Sequence, residues 1–193
     1  MRVLSVNVGQ PRRVEWRGLH KTSIFKSPVE GPIEVKTLNL AGDKQADLKV
    51  HGGPRKAVYV YPHEHYAYWR QLMPDYHFTP GNFGENLTVE GLTEDMVCIN
   101  DRLRIGSAVF VVTQPRTPCY KLQVRFERTD MTKLFYDSRR FGFYLSVEQE
   151  GVIEAGQPIE LVHLPDNAIS VANVIGVKTG DVGDSEIAGS ATG

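Results

Sequence analysis

The fold is constrained most strongly by the way the chain divides into short apolar runs that alternate like β-strands. In the first run, RVLSVNV at residues 2–8, Val3, Ser5 and Asn7 alternate with Leu4, Val6 and Val8. A period of two is typical of a strand, and Gly, Pro, Asn or Asp residues separate this run from the next ones. Further strands are predicted at 14–16, 33–38, 57–61, 87–89, 101–105, 108–113, 143–147 and 158–162.

Helical patterns are few and short. The predicted helices span 62–73, 117–126 and 129–137. The first is predicted to start at Pro62, because proline is tolerated in a first turn. The second is predicted to start near Thr117 as a cap, which would place Cys119 in the first turn. The sequence therefore predicts a mostly β domain with a few helices, of the α+β class, rather than a doubly wound sheet.

Length and charge limit the classes of function. The 193 residues can build one domain with a substantial core. Lys and Arg together number 22 against 23 Asp and Glu, so the charge gives no support for a nucleic-acid polymer or a membrane as a partner. The N-terminal apolar run is too short for a signal peptide, and a cytoplasmic protein is expected. No motif for a serine hydrolase, a nucleotide or a nicotinamide cofactor is present.

The stretch from residue 165 onward differs in character from the rest of the chain. It contains no aromatic residue and ends in small and polar residues. We therefore predict a domain that ends near residue 164, followed by a partly disordered appendage at 165–193.

The two cysteines, Cys98 and Cys119, cannot form a CxxC pair, so they build neither a disulfide framework nor a four-ligand zinc site. Cys119 lies in QPRTPCYKL, between an apolar strand and a predicted helix. Arg116 and Lys121 place positive charge beside it, which favours a thiolate, a soft metal ligand, and would attract a phosphate. The alternative is that Cys119 is an ordinary small buried residue. Cys98 is interpreted as part of the core.

Two further segments are candidates for ligand binding. In HGGPRK, the glycines would allow close approach of the backbone to a ligand, and Arg55 and Lys56 could bind a phosphate. A simple loop with solvated charges explains the same letters. In GNFGENL, the amides of Asn82 and Asn86 and the carboxylate of Glu85 could contact a ring rich in heteroatoms, although turn formation by Asn and Gly explains this segment too.

Four segments taken together resemble the MOSC domain, which is named for the C-terminal part of molybdenum-cofactor sulfurases. They are HGGPRKAVYVYP, GNFGENLTVEGL, INDRLRIG and QPRTPCYKL, in this order. The resemblance covers residues 1 to about 163 and is closest to the YiiM-like bacterial members. It implies a β-barrel-like MOSC domain at 1–164, in which Cys119 is the protein ligand to the molybdenum of a pterin dithiolene cofactor.

The resemblance also implies an activity: an oxidoreductase that detoxifies N-hydroxylated compounds, such as N-hydroxylated purines and amidoximes, by reduction. Cys119 would be both the metal ligand and the catalytic residue. The residues expected to bind the cofactor are Arg116, Thr117 and Lys121, with His51, Arg55, Lys56, Asn82 and Asn86 as further contacts. Because no flavin, haem or iron–sulfur signature is present, a separate electron-donating reductase is expected as a partner.

Two alternatives remain open. The chain could carry the molybdenum cofactor to other enzymes without catalysis, or it could transfer sulfur as a persulfide on Cys119. The chain also departs from its family after residue 165. YiiM-like proteins usually carry a C-terminal extension of three helices, and SVANV resembles its start, but glycine-rich residues then replace the pattern. The extension is therefore expected to be truncated or replaced.

Overall fold

The computed structural model describes residues 1–46, 52–163 and 168–181. Strands dominate these residues, as the alternating pattern predicted. The strands are β1 Arg2–Val8, β2 Arg12–Glu15, β3 Leu19–Thr22, β4 Ser27–Val29, β5 Ile33–Lys36, β6 Asn39–Leu40, β7 Val58–Pro62, β8 Leu87–Glu90, β9 Arg102–Ile105, β10 Ala108–Pro115, β11 Phe143–Gln149, β12 Gly151–Ile153 and β13 Ile159–His163. The helices are α1 His65–Leu72, α2 Lys121–Phe126, α3 Met131–Ser138 and α4 Val171–Thr179.

Eight strands form the main sheet, in the order β13-β9-β10-β11-β7-β8-β1-β4. Its neighbours are antiparallel except β7 and β8, which run parallel. The predicted class, mostly β with a few helices, is confirmed. The sheet is not closed into a barrel, however. Strand β4 pairs with β1 at Val6–Val8, so only the start of β1 bridges to the opposite edge, between Arg2 and Pro158.

Two smaller sheets lie beside the main one. Strands β12, β5 and β6 form a three-stranded sheet, and β2 and β3 form a hairpin that pairs only with itself among the described residues. The sequence did not predict β3, β4, β6 or β12, because each has only two to four residues and lacks a clear alternation of apolar and polar side chains.

A cluster of buried aromatic rings joins the helices to the main sheet. Trp69 of α1 stacks on Phe135 of α3, with ring centroids 5.9 Å apart, and its indole nitrogen donates to the Tyr61 hydroxyl at 2.7 Å. Phe83, in the loop before β8, stacks on Tyr61 at 4.6 Å. Because these rings are large and fully buried, they fix the loop that carries Phe83 against the sheet.

The three predicted helices all begin later than predicted. Pro62 is the last residue of β7 and pairs with Val89, so α1 starts at His65. Strand β10 continues to Pro115, which pairs with Phe143, and α2 starts only at Lys121. The predicted threonine cap of this helix is therefore wrong. Helix α3 begins two residues and ends one residue later than predicted.

The first part of the predicted appendage is helical and packs on the domain. Ser170 caps α4 by accepting from the Asn173 N–H at 3.1 Å. Val171 and Ile175 are buried on one face of the helix, and the Val171 N–H donates to the Val97 carbonyl at 2.9 Å. The boundary near residue 164 remains a prediction.

No helix within 1–46, 52–163 or 168–181 combines the length and the apolar character needed to cross a membrane.

Candidate functional site

An open pocket lies between the end of β10 and the segment that joins β3 to β4. It encloses about 590 Å³, part of it open to solvent. A neighbouring pocket of about 760 Å³ shares three wall residues with it, Lys56, Cys119 and Tyr144. The remaining residues of the first wall are Thr22, Ser23, Ile24, Lys26, Asp43, Gln45, Ala46, Tyr59, Gly84, Asn86, Arg116 and Lys121.

Cys119 lies on the wall common to the two pockets. It is half-buried and precedes α2, where its carbonyl accepts from the Leu122 N–H at 3.0 Å. The thiol thus faces a pocket, but it is not in the first turn of a helix. Since α2 has only six residues, a helix dipole contributes little here, and positive charge at the site must come from side chains.

Three cationic side chains line the first pocket beside Cys119: Lys56, Lys121 and Arg116. Arg116 is only 7% exposed. Its guanidinium donates to the Phe83 carbonyl at 2.6 Å and to the Tyr59 hydroxyl at 3.2 Å. Arg116 therefore ties the end of β10 to the loop before β8, in addition to placing a charge on the wall.

A buried ion pair that the sequence did not reveal forms another part of the wall. The Lys26 ammonium contacts the Asp43 carboxylate, and both side chains are buried. Asp43 also accepts from the Gly9 N–H at 2.8 Å and from the Asn86 amide at 2.9 Å. Burial lowers the pKa of Lys26, although the charge of Asp43 opposes this. Nothing in the sequence separates these two residues from ordinary surface charges.

Within the described parts of the chain, the hydroxyl of Ser23 has no hydrogen-bond partner. Its Oγ is buried, lies in the pocket wall and is one of few such side-chain atoms in the described parts of the chain. Because a buried hydroxyl without a partner costs free energy, a polar ligand atom in this pocket would satisfy it. The wall thus combines an unsatisfied hydroxyl, lysines and a thiol, which is a suitable set of partners for an anionic ligand that also carries a soft metal.

The segment GNFGEN is organised by Glu85, which is fully buried. Its carboxylate accepts from the Tyr66 hydroxyl at 2.5 Å, the Gly81 N–H at 2.8 Å, the Thr88 hydroxyl at 2.9 Å and the Phe83 N–H at 3.0 Å. Burial raises the pKa of Glu85, and these hydrogen bonds oppose the rise. The segment is therefore a rigid support for the pocket. The sequence suggested its amide and carboxylate groups as ligand contacts, but the Glu85 carboxylate lines neither pocket.

The two asparagines of this segment take different positions. The Asn86 side chain lines the pocket, and its amide oxygen accepts a hydrogen bond from the Tyr59 N–H at 3.1 Å. The Asn82 side chain faces its own turn, where it accepts from the Thr79 N–H at 2.6 Å, and it lines neither pocket. Asn82 thus contributes to the shape of the loop.

Most other predicted site residues meet at the pockets. Cys119, Arg116, Lys121 and Lys56 line the first, and the exposed Thr117 lines the second. Arg55 lines neither pocket and donates to the Thr113 carbonyl at 3.4 Å. His51 lies outside the described residues.

Two tyrosines, the buried Tyr59 and the half-buried Tyr144, complete the wall and were not predicted as site residues. Burial raises the pKa of both Tyr59 and Tyr144, and the charge of Arg116 opposes the rise. Their phenols therefore stay protonated at neutral pH and can donate hydrogen bonds. Sequence reasoning could have noted that both lie in strands next to predicted site residues, but alternation alone does not show which face of a buried strand meets a pocket.

Comparisons with known proteins agree with this architecture. A family model described as MOSC domain matches residues 47–160. The uncharacterized protein YflK of Bacillus subtilis (strain 168) is 43% identical over 170 residues, covering 88% of this chain and 76% of YflK. Protein YiiM of Escherichia coli (strain K12) is 43% identical over 143 residues, covering 73% of this chain and 64% of YiiM. A protein named reductase from Gibberella moniliformis (strain M3125 / FGSC 7600) is 32% identical over 175 residues.

The match to the Gibberella reductase spans 89% of this chain but only 31% of that protein. Among solved structures, the crystal structure of YiiM from Geobacillus stearothermophilus superposes with a TM-score of 0.79 at 36% sequence identity. It covers 96% of this chain and 87% of that one. The chain therefore belongs to the MOSC domain family, and YiiM proteins are among its homologues.

Proposed function

We propose that this chain is a molybdenum-cofactor-dependent oxidoreductase that reduces N-hydroxylated compounds, such as N-hydroxylated purines and amidoximes. The observation that carries the proposal is the position of Cys119: a thiol on the wall common to two pockets, next to lysine side chains. Membership of the MOSC family and the reductase name of one homologue support an oxidoreductase in general.

The residues of the wall fit such a cofactor. Cys119 would bind the metal through its sulfur, since thiolates are soft ligands. Lys56 and Lys121 would hold the phosphate, and the unsatisfied Ser23 hydroxyl would donate to a polar atom of the pterin or the phosphate. When bound, the cofactor supplies two-electron oxygen-atom chemistry at the metal.

The overall reaction fixes what must reach the site. An N-hydroxylated compound, two electrons and two protons give the amine or amidine and one water. The protonated phenol of Tyr144, which lines both pockets, can orient the hydroxyl oxygen of the substrate by donating a hydrogen bond. The electrons would come from a separate reductase.

The first prediction tests the activity itself. Protein made in a host that synthesises the cofactor should contain molybdenum and pterin in equal amounts. This holoprotein should reduce an N-hydroxylated purine with a chemical one-electron donor, but not with NADH or NADPH alone, because no site for a nicotinamide or a flavin was found in the sequence. The amine product and molybdenum content would be measured together.

The possible outcomes separate the alternatives. A holoprotein whose molybdenum is reduced by the donor but which consumes no substrate would favour a cofactor carrier. A persulfide on Cys119 in freshly purified protein without molybdenum, detected by mass spectrometry, would favour sulfur transfer. Turnover with a nicotinamide alone would contradict the proposed electron supply.

The second prediction concerns the phosphate. Lys56→Ala and Lys121→Ala should each increase the loss of cofactor during gel filtration, by roughly tenfold or more in dissociation constant, because a charge-assisted contact contributes about 1.5–3 kcal/mol. The apo forms should melt like the wild type. Lys133→Ala, on the exposed surface of α3, is the matched control. Equal retention in all three variants would place the phosphate elsewhere.

Arg116→Ala is less informative about phosphate binding, because the Arg116 side chain also holds the pocket wall together through its hydrogen bonds. Removing the guanidinium leaves the buried Phe83 carbonyl without this donor and removes the hydrogen bond to the Tyr59 hydroxyl, which still donates to the Phe141 carbonyl at 2.7 Å, so the apo form should lose stability as well.

A further inference from the structure

The hairpin formed by β2 and β3 has two chemically different faces. Its register pairs Arg13 with Lys21 and Glu15 with Leu19, whereas Val14 pairs with His20. Residues directly opposite one another in an antiparallel pair lie on the same face. Arg13, Lys21, Glu15 and Leu19 therefore share one face, the outer face, and all four are exposed.

The inner face holds the hairpin against the candidate site. Thr22 is buried in the wall of the first pocket. The His20 ring lies 5.8 Å from the ring of Tyr120, which lines the second pocket. Arg12 lies over the Phe25 ring at 3.6 Å. The hairpin is thus a fixed feature at the mouth of the two pockets.

The outer face is not explained by packing within the chain. Arg13 and Lys21 are like charges placed opposite each other, an arrangement that destabilises a strand pair. Arg17 adds a third cation in the turn, and no ion pair of these three is found within the described residues. Leu19, between them, is 68% exposed, the highest value among the large apolar side chains described.

We propose that the outer face of this hairpin, with Arg13, Leu19 and Lys21, together with Arg17 in the turn, is the docking surface for an acidic protein that delivers single electrons to the site. The proposal rests on the proposed function, because only a reductase needs a supply of electrons. The hairpin indicates where the partner binds and that its surface is acidic. Each turnover would oxidise two reduced carrier molecules by one electron each, and the two protons would come from water.

Charge complementarity supports this partner. Opposite charges on two surfaces accelerate their encounter, and redox partners typically meet through small, transient interfaces. The net charge of the whole chain is −1, so Arg13, Arg17 and Lys21, which outnumber Glu15 on the hairpin, form a local contrast rather than part of a basic protein. A single exposed leucine among them suits a small protein interface better than a duplex or a bilayer, which would be met by broader basic or apolar surfaces.

The experiment compares two donors on the holoprotein. Reduced flavodoxin is the acidic protein donor and reduced methyl viologen is the small one. In Arg13→Glu/Lys21→Glu, kcat/KM for flavodoxin should fall by about tenfold or more and should lose most of its dependence on salt, because both changes remove attraction at the encounter. The rate with methyl viologen and the melting temperature should not change.

A second double variant controls for charge alone. Lys36→Glu/Arg104→Glu makes the same change in charge at exposed positions of strands β5 and β9. This variant should behave like the wild type with both donors. If it loses as much flavodoxin-driven activity as the hairpin variant, or if the hairpin variant keeps full activity and salt dependence, the docking surface is wrong.

Binding is measured separately by calorimetry, with the holoprotein and oxidised flavodoxin, a DNA duplex or vesicles containing phosphatidylserine. Binding of flavodoxin that is weakened in the hairpin variant supports the proposal even if no donor produces turnover, in which case only the proposed function fails. The docking proposal would be overturned if flavodoxin did not bind. It would also be overturned if the duplex or the vesicles bound more tightly than flavodoxin and the hairpin variant abolished that binding.

Discussion

Replacing Cys119 with serine is expected to remove molybdenum from the protein and to stop the reduction of N-hydroxylated compounds. Serine has nearly the same shape, and the carbonyl of residue 119 would still accept from the Leu122 N–H, so the fold should be preserved. The hydroxyl ionises poorly and is a hard ligand, so the soft metal loses its protein contact. Metal analysis of the purified variant, turnover with a chemical donor and the melting temperature of the apo form are the measurements.

Cys98→Ser is the matched control. Cys98 lines neither pocket, and its backbone N–H donates to Asp101 at 2.7 Å. Burial and then the charge of Asp101 raise the pKa of the Cys98 thiol, which makes it a poor ligand at neutral pH. This variant should keep its molybdenum and most of its activity. A Cys119→Ser protein with full metal content and turnover, or a folded Cys98→Ser protein without them, would reverse the assignment of the two thiols.

Replacing Glu85 with alanine is expected to produce the largest loss of stability among single substitutions near the site. The change leaves three buried donors without their acceptor: the Thr88 hydroxyl and the N–H groups of Gly81 and Phe83. The Tyr66 hydroxyl also loses its bond to Glu85 but can still donate to the Thr79 carbonyl. Because each unsatisfied donor costs about 1–3 kcal/mol and the loop can relax in part, the free energy of unfolding should fall by about 3 kcal/mol or more. Urea denaturation of the apo protein measures this loss.

Two further variants show whether the carboxylate acts as an acceptor. Glu85→Gln keeps one oxygen and should recover part of the stability, whereas Glu30→Ala, at an exposed position, should change it by no more than about 0.5 kcal/mol. Because Glu85 supports the loop that also carries Asn86 and Phe83, the alanine variant should retain cofactor poorly as well. A stable Glu85→Ala protein would show that the hydrogen bonds to this carboxylate contribute little to the fold.

The sequence by itself determined the class of the fold and predicted Cys119 as the central residue of the site. Alternation of apolar and polar residues is a local property, so β1, β7, β8 and β11 were found near their observed positions. The supporting role of the buried Glu85 and the place of Tyr59 and Tyr144 in the wall were not found, because a local pattern does not show which side chains are buried or face a pocket. The four motif segments identified the family because together they combine glycine turns with a cysteine in a proline-rich segment at fixed separations.

Local patterns were less reliable where strands and helices meet. Thr117 and Pro118 are favourable residues for a helix start, and Pro62 is acceptable in a first turn. Pairing with neighbouring strands outweighed these preferences: Pro115 and Pro62 extend β10 and β7 through contacts with Phe143 and Val89. The energy of such pairing is not visible in a window of adjacent residues.

Only the tertiary structure decided how the pocket is built. The Asn86 amide reaches Asp43 across 43 positions of the chain, and the Arg116 guanidinium reaches the Phe83 carbonyl across 33. A lysine in the sequence does not reveal whether it is solvated or, like Lys26, buried against a carboxylate. The burial of a charge depends on which distant segments fold over it, and for that reason the sequence identified the thiol while the surrounding wall became visible only in three dimensions.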